Sequence, residues 1–299
     1  MRALTFLLAA AALAAQVRQH PAVKEIPHDK YIHMVPESKS PVERTYIKAK
    51  DGLYIASAIR KPEGPGPFPA LVYFHGAPGG RGMEQLVGWS RGDHGGPVWE
   101  RFLQEGYVVA VADYRGGPGP IAAPVPPNTV SYIDDGVSVI QYVKKLPFVD
   151  PAKVGAYAVS LGGNMLLHAL QQEKINAAIL GAPAVFSFLG VERPASGGAA
   201  ALANAKINPA VAEANVALLT SPLLILVGTA DPLFNLTKGL YEELARAGKP
   251  HQVEIYEGAY HDFCMGPQGH ARKEPLLDGT LDALEISVRF MAQHVKGEK

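Results

Sequence analysis

The sequence predicts an α/β domain: a mostly parallel sheet of about eight strands with helices on both faces. Three observations carry that expectation. Short apolar runs alternate along the chain with segments whose apolar residues recur at helical spacing. One of these runs, Val154-Gly-Ala-Tyr-Ala-Val-Ser-Leu-Gly-Gly-Asn164, reads as strand, sharp turn and helix within eleven residues. The chain has 299 residues, 47% of them hydrophobic and 19% charged, which suits one large globular domain.

Met1 to Ala15 has a charged start, an apolar core and small residues at its end. It reads as a secretory signal peptide cut near Ala14 or Ala15, which places the mature protein in the periplasm or outside the cell. It is too short to span a bilayer, and no other segment approaches about 20 uninterrupted apolar residues, so no membrane span is expected in the mature form. Residues 16–42 are polar and proline-containing and read as an irregular approach segment; the domain proper is expected over residues 43–299. Val42–Lys50 and Leu53–Arg60 are strands joined at Asp51-Gly52, a hairpin signal. Pro69–Phe74 is a short apolar strand, Val98–Glu105 a helix and Tyr107–Asp113 a buried strand. Ile133, Val137, Ile140 and Val143 repeat at helical spacing, with Asp134 and Asp135 in the first turn, where they favour the helix dipole. Ser160–Gln172 is the next helix and Asn176–Gly181 the next strand. Residues 184–220, rich in Ala with Gly and Pro breaks, read as small helices forming a lid. Strands then follow at 221–228 and at His251–Tyr256, with a helix over Leu233–Ala247 between them and a closing helix over Leu276–His294.

The turn at Ser160 carries the chemistry. Ala158 and Gly162 flank it in the small-x-Ser-x-small pattern that holds a serine on a strained strand-to-helix turn. A serine hydroxyl is a weak nucleophile at neutral pH, and it needs a histidine to take its proton and a carboxylate to orient that histidine. Asp231 stands just past the strand ending at Gly228, and His261 just past the strand ending at Tyr256. All three candidates follow the carboxyl end of a strand, where open α/β sheets build their sites. Asp231 before Pro232 could equally start a turn or cap a helix. Glu257 and Asp262 are rival acids, though Asp262, adjacent to His261, is not expected to reach its ring properly. The glycine-rich run His75-Gly-Ala-Pro-Gly-Gly-Arg-Gly82 follows the strand ending at Phe74. The backbone N–H groups of Ala77 and Leu161 are the expected oxyanion donors, and His75 reads as a structural loop residue. Phe186 and Phe188 are the candidate lining of a substrate pocket. Arg115 is open to two readings, anchor of its own loop or of substrate.

Other classes of function find little support. Lys and Arg number 28, as do Asp and Glu, so the net charge is zero and no nucleic-acid or anionic-membrane partner is implied. Cys264 is the single cysteine and reads as buried and inert. The absence of a Cys/His cluster or a His-Glu-x-x-His spacing predicts no metal, and no phosphate or dinucleotide loop predicts a cofactor.

Phe74-His-Gly-Ala-Pro-Gly79, Ala112-Asp-Tyr-Arg-Gly-Gly117, Tyr132-Ile-Asp-Asp-Gly-Val137, the stretch Val149–Gly163, Gly228-Thr-Ala-Asp231 and Tyr260-His-Asp262 together resemble the α/β-hydrolase superfamily. More narrowly, the chain resembles the prolyl oligopeptidase catalytic domain and the dienelactone hydrolase-like and acetyl-xylan-esterase-like proteins, over roughly residues 43–295. The resemblance implies an α/β-hydrolase fold with Ser160 as nucleophile, Asp231 as acid and His261 as base. Dienelactone hydrolases carry Cys as nucleophile where this chain has Ser160. The oligopeptidases carry a β-propeller where this chain has a short N-terminal segment. The expected activity is that of an exported serine esterase acting on small esters. A small dipeptidyl or acylaminoacyl peptidase acting on short peptides, and an inactive hydrolase-fold binding module, are the alternatives.

Overall fold

The computed structural model describes residues 16–27, 40–77, 79–90, 96–115, 132–191, 204–266 and 275–298. The signal-peptide reading of residues 1–15 lies outside them, as do Pro78, Arg91 and most of the loops that follow Arg115 and Val191.

The strands are β1 (Gln16–His20), β2 (Glu25–Ile26), β3 (Glu43–Lys48), β4 (Tyr54–Arg60), β5 (Phe68–Phe74), β6 (Val108–Ala112), β7 (Val149–Val159), β8 (Ala177–Gly181), β9 (Leu223–Gly228), β10 (His251–Tyr256) and β11 (Leu276–Leu277). The helices used below are α1 (Met83–Gly88), α2 (Gly96–Gln104), α3 (Tyr132–Lys144), α4 (Leu161–Ala169), α5 (Pro209–Ala217), α6 (Phe234–Arg246) and α7 (Asp278–Met291). Among the described residues, nine strands form one sheet in the order β1-β10-β9-β8-β7-β5-β6-β4-β3, and β11 pairs with β2 apart from it. Every pairing from β1 to β6 is parallel; β4 and β3 join antiparallel.

The ninth strand corrects the expectation of an irregular approach segment. Gln16–His20 runs parallel to β10 in the register Gln16↔Gln252 to His20↔Tyr256. An edge strand needs backbone pairing on one side only and leaves its side chains exposed, so a polar sequence is no bar to it. His20 secures it, stacking on Tyr256 at 4.2 Å with Nε2 2.5 Å from the buried Glu254 carboxylate.

Period-two alternation divides the core between the two faces. Val72, Phe74, Ala110, Ala156, Leu180 and Ile225 pack towards α3, α4 and α6. Leu71, Tyr73, Val109, Tyr157, Ile179 and Leu224 pack towards α1, α2 and α7. The stretch expected as a lid is, in its described parts, tied to the body. Ala212, Val216 and Leu219 are buried, and Asn215 Nδ2 donates to the Phe188 carbonyl at 2.8 Å. Helix α5 starts where expected of a polar-then-Pro sequence: the Asn208 side chain accepts from the Val211 N–H, and Pro209 takes the first helical position.

The topology sets where a site can lie. From β5 the chain passes to β6 on one side and then crosses to β7 on the other. The carboxyl ends of β5 and β7 therefore open a crevice between diverging connections, the position at which such sheets bind ligands.

Candidate active site

Ser160 closes β7 and heads α4 with φ 52° and ψ −120°, a backbone conformation that costs a non-glycine residue energy. The surrounding structure holds it there. Its N–H donates to the Gly181 carbonyl at 3.1 Å, and its carbonyl accepts from Gly163 at 3.0 Å and Ala184 at 2.8 Å. The small residue after the serine is required by close approach: a Cβ on Gly162 would stand 2.4 Å from the Phe74 carbonyl oxygen and 2.6 Å from that of His75.

Asp231 and His261 arrive on neighbouring strands. The two loops are stitched together by Ala230 N–H to the Ala259 carbonyl at 3.0 Å and by Gly258 N–H to Thr229 Oγ1 at 2.8 Å. The Ser160 hydroxyl donates to His261 Nε2 at 2.9 Å, and His261 Nδ1–H donates to Asp231 Oδ2 at 2.9 Å. Asp231 also starts a turn, as its position before Pro232 suggests: Oδ1 accepts the Leu233 N–H at 2.8 Å. One carboxylate performs both tasks, and it is almost wholly buried.

The loop after β5 lies directly over the serine. A Cβ on Gly76 would be 3.2 Å from Ser160 Cβ and 3.8 Å from its Oγ. The Ala77 backbone follows immediately, and Leu161 follows Ser160 at the first position of α4. The loop is anchored by Asp113, just past β6. Its Oδ1 accepts from Gly80 N–H at 2.9 Å and Tyr114 N–H at 2.8 Å, and its Oδ2 from Gly82 N–H at 2.8 Å. His75 adds Nε2 at 3.1 Å from the same carboxylate and stacks on Tyr114 at 4.5 Å. Burial of Asp113 would raise its pKa, but these hydrogen bonds outweigh it and hold the carboxyl at about 2. His75 is thus buried loop structure, as expected.

The arrangement supplies a hydroxyl, a proton acceptor on it, an acid behind the acceptor, and a backbone loop against the hydroxyl. That is the layout of acyl transfer. Over residues 55–275 the sequence matches the dienelactone hydrolase family. The chain belongs to that family.

Solved structures agree on the fold of this family member. A thermostable carboxylesterase cloned from a metagenomic library is 17% identical, with a TM-score of 0.61 over 89% of this chain and 93% of the other. Thermogutta terrifontis esterase 2, solved phosphorylated by paraoxon, is 24% identical with a TM-score of 0.59 over 86% and 95%. Porphyromonas gingivalis dipeptidyl peptidase 4 is 22% identical with a TM-score of 0.60; 85% of this chain is covered but 36% of the peptidase.

Two features of this dienelactone hydrolase family member, Phe188 and Asp262, differ from what the sequence suggested, and the open reading of Arg115 is decided. Phe188 is fully buried, packs edge-on to His168 at 5.2 Å and donates its N–H to Asn164 Oδ1 at 3.2 Å, so it is core rather than pocket lining. Phe186, two residues earlier, is half-buried. Arg115 anchors its own loop: it binds Asp51 on the hairpin and the buried Asp135 of α3, the latter through Nε at 2.8 Å and Nη2 at 2.5 Å. The Asp51 hydrogen bond, the largest cause, raises the guanidinium pKa and lowers that of Asp51 to about 2. Asp135 therefore serves a tertiary ion pair besides any helix-dipole role. Asp262, discounted because it adjoins His261, does reach the ring, but on the Nε2 side at 3.2 Å.

The role of Asn164 was not read from the sequence. Asn164 Nδ2 donates to Tyr132 OH at 2.7 Å and Ser187 Oγ at 2.8 Å, fixing the chain after β8 to the serine-bearing helix. The placement of Asn164 one turn beyond Ser160 was the available signal. Cys264 is buried, and burial pushes its thiol up to about 12, so it carries no thiolate at neutral pH. Among the described residues, no group of three or more His, Cys, Asp or Glu side chains is placed to hold a metal ion, and no helix is long and apolar enough to cross a membrane.

Proposed function

We propose that the protein is an exported serine hydrolase that cleaves carboxylic esters of small substrates through an acyl-enzyme. The unbroken chain Ser160 Oγ, His261 Nε2, His261 Nδ1, Asp231 Oδ2, with both contacts at 2.9 Å, carries this reading. Ser160 Oγ attacks the ester carbonyl as its proton passes to His261 Nε2, and the carbonyl electrons move onto oxygen. The N–H groups of Ala77 and Leu161 stabilise that oxyanion; one such donor is worth roughly 3 kcal/mol in an acyl-transfer site. His261 then gives its proton to the departing alcohol. Water, deprotonated by the same ring, releases the acid. Asp231 stabilises the imidazolium in both half-reactions. Phe186, half-buried beyond Ser160, borders the acyl or alcohol side.

Carboxylesterases and a dipeptidyl peptidase both stand among the structures of similar fold, so a small ester is proposed as the substrate and a short peptide is kept as the alternative. Export rests on the character of residues 1–15.

Turnover of p-nitrophenyl acetate by the wild type and by Ser160→Ala tests the reading, with a fluorophosphonate probe as substrate-independent report. Loss of both turnover and labelling in the variant is expected. Equal rates in the two proteins would remove Ser160 from the chemistry, and faster cleavage of amino-acyl arylamides than of esters would transfer the protein to the peptidases. Processing after about Ala15 is checked by mass spectrometry of protein recovered from outside the cytoplasm.

A further inference from the structure

His261 has a carboxylate on each side. Asp231 Oδ2 lies 2.9 Å from Nδ1, and Asp262 Oδ1 lies 3.2 Å from Nε2, the nitrogen that also meets Ser160 Oγ at 2.9 Å. Residues adjacent in sequence seldom face one another. Here Asp262 adopts the left-handed conformation, φ 61° and ψ 12°, which folds its side chain back towards the preceding ring. Asp and Asn are among the few side chains that enter this region at modest cost. The conformation is fixed from beyond. Asp262 heads the short 3-10 turn Phe263–Met265, its carbonyl accepts the Met265 N–H at 2.9 Å, and Thr280 of α7 donates its hydroxyl to the Phe263 carbonyl at 2.8 Å. Its carboxylate is largely withdrawn from solvent.

We propose that Asp262 is a second acidic partner of His261, a positioning residue that stabilises the imidazolium formed when Ser160 gives up its proton. The proposal rests on the reading of Ser160 as nucleophile. In the neutral ring Nδ1 holds the proton shared with Asp231, and Nε2 presents a lone pair. A carboxylate oxygen offers that lone pair nothing to accept, so the contact is unfavourable before reaction. Once the Ser160 proton has moved to Nε2, the same oxygen faces an N–H, and the contact becomes a charge-assisted hydrogen bond. An interaction that improves on passing to the transition state accelerates the step. The same charge also favours protonation of His261 from solvent, so activity falls off at a higher pH than Asp231 alone would set.

Among the described residues, Tyr73, Tyr114 and Cys264 sense the charge of this carboxylate, and Asp231 lies on the other side of the His261 ring. Tyr73 on β5, Tyr114 beyond β6 and Cys264 are pushed up by burial and further by Asp262 itself, so all three are neutral in the working range. Arg81, whose guanidinium donates to the Ala77 carbonyl at 2.7 Å, acts on the same Tyr73 and Tyr114 hydroxyls with the opposite sign.

The test uses the full-length protein in two backgrounds. In Ser160→Ala, the His261 ring is titrated by proton NMR, its signal assigned by loss in His261→Gln. Asp262→Asn keeps the backbone preference and shape and removes the charge; Asp262→Gly removes the charge and accepts the same φ. Both are expected to lower the titration midpoint by about one pH unit. In the Ser160 protein, the acid limb of kcat/KM for p-nitrophenyl acetate moves down by the same amount, while kcat on the plateau falls. An unchanged midpoint in Asp262→Asn overturns the inference, as does a shift confined to Asp262→Gly, which would make backbone conformation the cause. A moved midpoint in a protein that no fluorophosphonate labels leaves the charge pairing standing and removes the serine-hydrolase reading instead.

Discussion

Asp113 ties three groups of the loop over Ser160, on His75, Gly80 and Gly82, to the end of β6, and Asp113→Asn measures what that tie is worth. The amide oxygen can replace one carboxylate oxygen, that which accepts Gly80 and Tyr114 and faces His75, but its NH2 then opposes the Gly82 N–H now bonded at 2.8 Å. Losing one charged hydrogen bond and leaving its donor unmatched costs about 2–4 kcal/mol at neutral pH. The pH dependence gives a second figure. The carboxyl, ordinarily at 3.8, is held at about 2 in the folded protein. A depressed carboxyl contributes stability above its unfolded value and loses it as pH falls through the folded one; here that is about 2 kcal/mol at pH 7, with roughly 1 kcal/mol gone by about pH 3. Urea denaturation of wild type and variant at both pH values reads it directly. The variant is expected to be less stable at pH 7, and the gap narrows by about 1 kcal/mol at about pH 3. A gap of the same size at the two pH values would refute the argument, because then the charge on Asp113 contributes nothing. Since Gly76 touches Ser160, ester turnover by the folded variant also falls, through kcat more than KM.

Three further outcomes follow from the same geometry. Gly162→Ala puts a methyl 2.4 Å from the Phe74 carbonyl oxygen, and the variant is expected to lose about 3 kcal/mol or to recover activity nowhere; unchanged melting and turnover would contradict the close approach. Asp231→Asn keeps an oxygen for the turn bond to Leu233 N–H, so melting changes little, while kcat on p-nitrophenyl acetate falls by about 10⁴ as the wrong ring tautomer is favoured. Cys264, neutral and buried, is expected to resist iodoacetamide in the native protein and to react fully in guanidinium; rapid native labelling, read by mass spectrometry, would refute its burial.

Local signals settle much of this protein in advance. Strand, turn and helix around Ser160 are written in consecutive residues, because a turn that crowds backbone against backbone admits only small side chains beside it. Asp231 and His261 stand out for a similar reason: each stands just past the carboxyl end of a strand, and parallel strands deliver their carboxyl ends to one edge of the sheet. What the chain could not announce were contacts between segments far apart or paired by unusual backbone. Gln16–His20 looks like polar linker until β10 offers it a free edge. Arg115 is as consistent with a substrate as with a loop until Asp51 and Asp135 close around it. Phe188 reads as pocket lining until Asn164 and His168 draw it inwards. Asp262 beside His261 looks badly placed until a left-handed turn, held by α7, bends it round. Periodicity and small-residue spacing report what a residue does to its own backbone, and so they are visible along the chain. Charge pairing and burial are decided by which distant segments pack together, and these appear only once the sheet is assembled.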